Sequence, residues 1–314
     1  MAVDVVILIV GLLVLAVAGD QFVVGAARVA RAMSIRPAIV GAIIGGLGAS
    51  LPELAVSGVA SIRGSTQIAV GNLVGSIAAN VALALAFAAM VAPIRVESRT
   101  IRREAPASVA SVALFALLLR GGLSVADGAI LAVAVAVAVA FLLGAARGGG
   151  RGDRELDVEV GEFFPRPQGR TGREIVRTVA GLAGMIAGAE ALVASASDVA
   201  TRMGVSQEFI GLSVVAVGTS APLIAIAVQA ARRGDHDIAV GSVIGSNLFI
   251  ALAGGALVGF VSGGSSGAGT LAPVLMVSLA LASWIFMARG SIVTRREASV
   301  LLVAYAAAIP FFPR

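Results

Sequence analysis

The chain contains no cysteine and no lysine, and only one histidine, His236. Without cysteine it has neither disulfides nor thiolate metal sites. Charged residues make up 13% and hydrophobic residues 58%, with a mean hydropathy of +1.00. So little charge excludes a soluble domain: the polar side chains cannot cover the apolar ones in water, and lipid must act as solvent. The start, Met1-Ala2-Val3-Asp4, lacks the basic region and small-residue cleavage site of a signal peptide, so the first apolar run is expected to be a retained helix.

What is present in quantity is apolar sequence in pieces of bilayer length. Hydropathy gives about ten spans, at approximately 3–27, 37–61, 67–92, 105–119, 124–145, 175–197, 206–231, 238–261, 270–288 and 298–312. The longest polar stretch, with Gly148-Gly149-Gly150, Pro165 and Pro167, separates them into a first half over 1–144 and a second over 175–314. The intervening residues 145–174 read as a flexible cytoplasmic linker. Its acids, Asp153, Glu155, Asp157, Glu159 and Glu162, read as a solvated loop, with a weak cation-sensing patch as the alternative.

The two halves repeat one another. Gly48-Ala49-Ser50-Leu51-Pro52-Glu53 recurs 170 residues later as Gly218-Thr219-Ser220-Ala221-Pro222-Leu223. The same offset carries Gly71 to Gly241, Gly75 to Gly245, Ser76 to Ser246 and Asp20 to Glu190. Five spans per half is an odd number, so the second half enters the membrane from the opposite side and the repeat is inverted. The predicted fold is therefore an all-α polytopic membrane protein of ten transmembrane helices in two inverted five-helix repeats. Arginine placement agrees: 19 of the 23 basic residues fall on the side opposite the N-terminus, leaving Arg63, Arg120, Arg202 and Arg314. Positive charge collects inside, so both termini are expected outside a plasma membrane. The net charge of +5 follows from this bias. Nucleic-acid binding does not, because the arginines are dispersed over loops and no aromatic platform accompanies them.

Gly45, Gly46, Gly48 and Pro52 interrupt an apolar span, where each weakens or breaks a helix. In lipid such breaks persist only where they line a protein-buried cavity, and duplicated broken spans point to a transporter whose site lies between the halves. Helical spacing puts Ser50 with Glu53 on one face, and Ser76 with Asn80 on another. A carboxylate, a carboxamide, hydroxyls and freed carbonyls form a hard-oxygen set suited to Na⁺ or Ca²⁺. The alternative for Glu53 is a structural carboxyl, but an intramembrane acid costs about 2.5–3.5 kcal/mol and is functional by default. For Ser50, Ser76, Ser220 and Ser246 the alternative is helix packing.

These motifs resemble the α-repeats of the cation/Ca²⁺ exchanger superfamily, which includes the Na⁺/Ca²⁺ exchangers: roughly G-T-S-x-P-E/D, then G-N/S-x-x-G-S-N. The likeness covers nearly the whole chain. It implies a secondary active antiporter with alternating access and an ion cluster at the midplane, built by spans two, three, seven and eight. On that resemblance Glu53 is a central Ca²⁺ ligand with Asn80 as its polar neighbour. Ser50, Ser76, Thr219, Ser220 and Ser246 supply hydroxyls to flanking Na⁺ sites, and Gly46 and Ala216 supply backbone carbonyls. No resident cofactor is expected; the partners are the bilayer and the transported cations, Ca²⁺ with Na⁺ or H⁺.

The chain also departs from the pattern. Leu223 and Ile250 stand where the family has a second carboxylate and an Asp or Asn, and Ala49 and Ile77 replace a threonine and an asparagine. A dehydrated Ca²⁺ beside one carboxylate is left uncompensated in low dielectric. Asp20, Glu190 and Asp198 are the candidates to compensate it. Two rival readings follow: a carrier of a monovalent cation or H⁺ that leaves Ca²⁺ alone, and a non-transporting scaffold or regulatory homologue. A channel is disfavoured by the lack of charge rings. An enzyme is disfavoured because His236 sits between Asp235 and Asp237 at a span end, where a solvated loop tip or a surface pH sensor is the natural reading.

Overall fold

The computed structural model describes residues 2–33, 46–146, 171–264 and 270–312. Most of the expected linker, 147–170, and the first part of the expected second span, up to residue 45, lie outside the described residues. The chain is helical almost throughout. Helix α1 is Ala2–Ala32, α2 Leu51–Ile62, α3 Thr66–Val91, α4 Ala105–Leu119 and α5 Val125–Ala146. After the linker come α6, Thr171–Met203; α7, Gln207–Arg233; α8, His236–Ser262; α9, Leu271–Gly290; and α10, Arg295–Ala308. Among the described residues six of these, α1, α3, α6, α7, α8 and α9, are long and apolar enough to cross a membrane. Helices α2 and α5 contribute shorter apolar stretches.

Lipid explains the pattern of burial. Val3, Val10, Leu13 and Val17 on α1, Val133 and Val137 on α5, and Val300 and Val303 on α10 are exposed large apolar side chains. In contrast α3 is buried almost residue for residue, with Asn72, Ser76 and Asn80 at 0% exposure. Polar groups therefore gather in the protein interior, away from the apolar exterior that faces hydrocarbon.

Helices α1 and α6 lie antiparallel and in close contact along their length. A Cβ on Gly11 would fall 3.0 Å from the backbone nitrogen of Leu192, and one on Gly181 would fall 2.5 Å from that of Phe22. Small residues let the two backbones approach, which is how helices associate where no hydrophobic effect drives them together. An ion pair fastens each end: Asp4 with Arg202 at 3.4 Å, and Arg28 with Glu174 at 3.2 Å, the latter also held by Arg177 of its own helix at 3.2 Å. Helix α6 also packs along α2, whereas α1 meets α7 over a much shorter stretch.

Helices α3 and α8 share an irregularity. Each begins as an α-helix, Thr66–Ala79 and His236–Phe249, and then widens into a π-helical segment, Asn80–Leu85 and Ile250–Gly254. Both starting positions, Thr66 with His236 and Asn80 with Ile250, are related by the 170-residue offset seen in the sequence. In α7 a π-helical segment, Gly211–Val215, precedes the Gly-Thr-Ser motif. Such segments change the register of backbone bonds and are frequent at functional sites. A two-stranded ribbon closes the end of the bundle reached by α3 and α9, pairing Ile94 with Val293 and Arg95 with Ile292. The following helix α10 starts with a capping box between Thr294 and Glu297.

Candidate ion-binding site

Helices α2, α3, α7 and α8 bring the two copies of the motif face to face. Glycines set the spacing. A Cβ on Gly75 would lie 2.5 Å from the Leu212 carbonyl and 2.6 Å from the Ala216 Cβ, so α3 rests directly on the π-helical segment of α7. Pro52 sits in the first turn of α2, where its missing N–H does no harm. Ser50, at the N-cap of that helix, makes no side-chain cap; its hydroxyl is turned instead across the interface to Ser246.

The contacts of the site join one half to the other. The Ser50 and Ser246 hydroxyls are 2.9 Å apart. The Ser220 hydroxyl donates to Glu53 Oε1 at 3.4 Å. The Ser76 and Thr219 hydroxyls are 3.3 Å apart, and Thr219 also reaches Asn72 Oδ1 at 3.1 Å and the Ala216 carbonyl at 3.2 Å. Asn80 Nδ2 donates to Asn247 Oδ1 at 2.9 Å and to Ser246 at 3.4 Å. Ser50, Glu53, Ser76, Asn80, Ser220 and Ser246 are all at 0% exposure, and Thr219 at 2%. Gly46 opens the single helical turn Gly46–Gly48 that precedes the motif, and Ala216 opens the α-helical part of α7.

Two oxygens in this cluster have no partner: Glu53 Oε2 and Asn80 Oδ1, both buried. A buried acceptor without a donor costs about 1–3 kcal/mol, more when charged. Both lone pairs and the surrounding hydroxyls suit a hard cation, which asks for oxygen ligands and no donor protons.

The structure differs from the sequence expectation at several points. Asn80 is not hydrogen-bonded to Glu53; its amide is directed to Asn247 and Ser246, and the carboxylate takes its side-chain hydrogen bond from Ser220. The three acids offered as compensating charges do not reach the cluster. Asp20 is exposed and bonded to its neighbour Gln21, Glu190 is ion-paired with Arg63, and Asp198 is exposed. Leu223 and Ile250 are buried, at 1% and 0% exposure, so the second copy brings apolar side chains inward at these positions. Among the described residues no three Asp, Glu or His side chains converge as a metal-holding group. His236 lines a separate surface pocket of about 340 Å³ with Asp235, Asp237, Glu97 and Arg95.

Two further asparagines, not among the expected site residues, join the cluster. Asn72 and Asn247 follow Gly71 and Ser246 within the quoted motifs, and both are buried. A carboxamide in an apolar helix is itself the signal that marks them, since each must find partners across a helix interface.

Comparison with known proteins gives the family. The profile of the sodium/calcium exchanger protein family matches residues 3–144 and 174–312. The inner membrane protein YrbG of Escherichia coli is 36% identical over 77% of this chain and 75% of its own length. The sodium/calcium exchanger MaX1 of Methanosarcina acetivorans is 29% identical over 96% of both chains. The solved structure of the sodium-calcium exchanger NCX_Mj, soaked with Na⁺ and Sr²⁺, superposes over 100% of both chains with a TM-score of 0.67 at 27% identity. This chain, a helical multi-pass membrane protein, belongs to the sodium/calcium exchanger family of transporters.

Proposed function

We propose that the chain is a secondary cation antiporter that works by alternating access around Glu53, Asn80 and the ring of hydroxyls from Ser50, Ser76, Thr219, Ser220 and Ser246. The observation that carries this reading is the pair of unpartnered buried oxygens, Glu53 Oε2 and Asn80 Oδ1, inside a cluster contributed by both halves. The Gly46 and Ala216 carbonyls complete the oxygen set. Ca²⁺ is exchanged for Na⁺, and binding biases the α1–α6 pair to rock against the remaining helices. In this reading the helices form two inverted repeats of five, 1–144 and 175–314, joined by the cytoplasmic linker 145–174. Both termini lie outside a plasma membrane. The family relationship and the recurrence of the π-helical segments at a 170-residue offset support it.

A second reading is favoured by one specific observation, the buried Leu223 and Ile250 in place of further oxygens. One carboxylate balances one monovalent cation or one proton far better than it balances Ca²⁺. In that case Glu53 carries Na⁺ or H⁺ alone.

Isotopic Ca²⁺ and Na⁺ flux in proteoliposomes, with and without an opposing gradient, separates the two. Na⁺-driven Ca²⁺ uptake supports exchange. Na⁺ or H⁺ movement without Ca²⁺ supports the second reading. Movement of no cation refutes both.

A further inference from the structure

Every polar atom of the Asn72 side-chain amide has a partner. Its Nδ2 donates to the Glu53 backbone carbonyl at 3.2 Å and to the Ser57 hydroxyl at 3.0 Å. The Glu53 carbonyl can only accept, so the NH₂ end of the amide must face it and Oδ1 must face Thr219. The Ser57 hydroxyl gives its own proton to the Ala69 carbonyl at 3.1 Å, so toward Asn72 it accepts as well. The orientation of the amide is therefore fixed from α2, and it presents an acceptor to α7.

A threonine hydroxyl has one proton and two lone pairs. Thr219 has two carbonyl acceptors in reach, Asn72 Oδ1 at 3.1 Å and the Ala216 carbonyl at 3.2 Å. If the proton turns to Ala216, it covers that carbonyl. If it turns to Asn72, the Ala216 oxygen keeps an open lone pair and the Thr219 oxygen keeps two, one of them in reach of the Ser76 hydroxyl at 3.3 Å. A cation is attracted by lone pairs and repelled by a hydroxyl proton. The close approach of α3 to α7 at Gly75 puts this choice within hydrogen-bond distance.

We propose that Asn72 is a positioning residue: it draws the Thr219 hydroxyl proton toward α3, so that the Thr219 oxygen and the Ala216 carbonyl together offer lone pairs to a monovalent cation. This rests on the exchanger reading of the site, and deepens it by assigning selectivity for the monovalent ion to a residue that touches no ion. Glu53 serves either cation; the Thr219–Ala216 pair, without a charge of its own, discriminates in favour of the smaller charge.

The test uses the purified full chain and thermal stabilisation by Na⁺ or by Ca²⁺, titrated separately. Asn72→Ala raises the Na⁺ midpoint about tenfold, as expected for one misdirected hydrogen-bonding group, while the Ca²⁺ midpoint moves less than about threefold. In a Thr219→Val background, which has no hydroxyl to orient, Asn72→Ala adds no further shift. The proposal is overturned by equal shifts in both backgrounds, by equal shifts for both ions, or by an unaltered protein that ignores Na⁺. Should Asn72→Ala fail to fold, Asn72→Ser takes its place under the same criteria, since its hydroxyl still offers a donor to α2 while the shorter side chain brings no acceptor to Thr219. The expected pattern in a protein that moves no ion across vesicles keeps the role of Asn72 and sinks the antiporter reading alone.

Discussion

Arg63, at the end of α2, is ion-paired with Glu190 of α6, while the residues 170 positions from each, Arg233 and Asp20, form no such pair among the described residues. The asymmetry matches the packing, since α6 lies along α2 and α1 only briefly meets α7. In the proposed inverted repeat, alternation between two access states would exchange the conformations of the halves, so the second pair should form when the first parts.

The chain has no native thiols, which makes this directly measurable. Arg63→Cys with Glu190→Cys, and Asp20→Cys with Arg233→Cys, are each treated with a short reducible bifunctional thiol reagent in membranes under opposed Na⁺ and Ca²⁺ gradients. Each pair should cross-link under the condition that suppresses the other, and each cross-link should block exchange until reduced. An Asp20–Arg233 pair that never cross-links under any gradient rules out the exchange of states.

Glu53→Gln keeps the shape of the side chain and the hydrogen bond from Ser220, and removes the charge. Cation flux should fall to background while the protein stays folded and monodisperse. Unchanged flux in this variant assigns the carboxylate a structural role.

Gly71 and Gly241 hold the same motif position but meet different surroundings. A Cβ on Gly71 falls 2.8 Å from the Glu208 carbonyl, against backbone, whereas one on Gly241 meets nothing within 4 Å. Gly71→Ala should therefore destabilise by about 1–3 kcal/mol through overpacking. Gly241→Ala should be neutral or stabilise by up to about 1 kcal/mol from helix propensity. Thermal melting of the two variants side by side checks the difference; equal losses contradict the packing of α3 on α7.

Leu223→Glu with Ile250→Asp restores oxygens on the dry side of the cluster. Ca²⁺ affinity follows ligand charge and number, so Ca²⁺ should stabilise the double variant more than the unaltered protein. Without Ca²⁺ the variant should melt lower, since two further acids in the membrane interior lack compensation. Strong stabilisation of the unaltered protein at micromolar Ca²⁺ would show that one carboxylate suffices.

The sequence by itself determined the solvent, the helical class and the location of the cluster. Hydropathy is a bulk property that survives without coordinates, and Gly, Pro, Ser and Glu in an apolar span are conspicuous because lipid tolerates them only with a partner. The 170-residue offset showed which residues correspond, and Ser50, Glu53, Ser76, Thr219, Ser220 and Ser246 are indeed brought together across the halves. What the offset does not contain is which residue of one copy touches which of the other. Only tertiary structure turned Asn80 toward Asn247, paired Glu190 with Arg63, left Asp20 and Asp198 at the surface and made Asn72 a junction of α2, α3 and α7. The reason is physical: a hydrogen bond depends on direction and on distances of a few tenths of an ångström, and these are set where glycines let helix backbones meet.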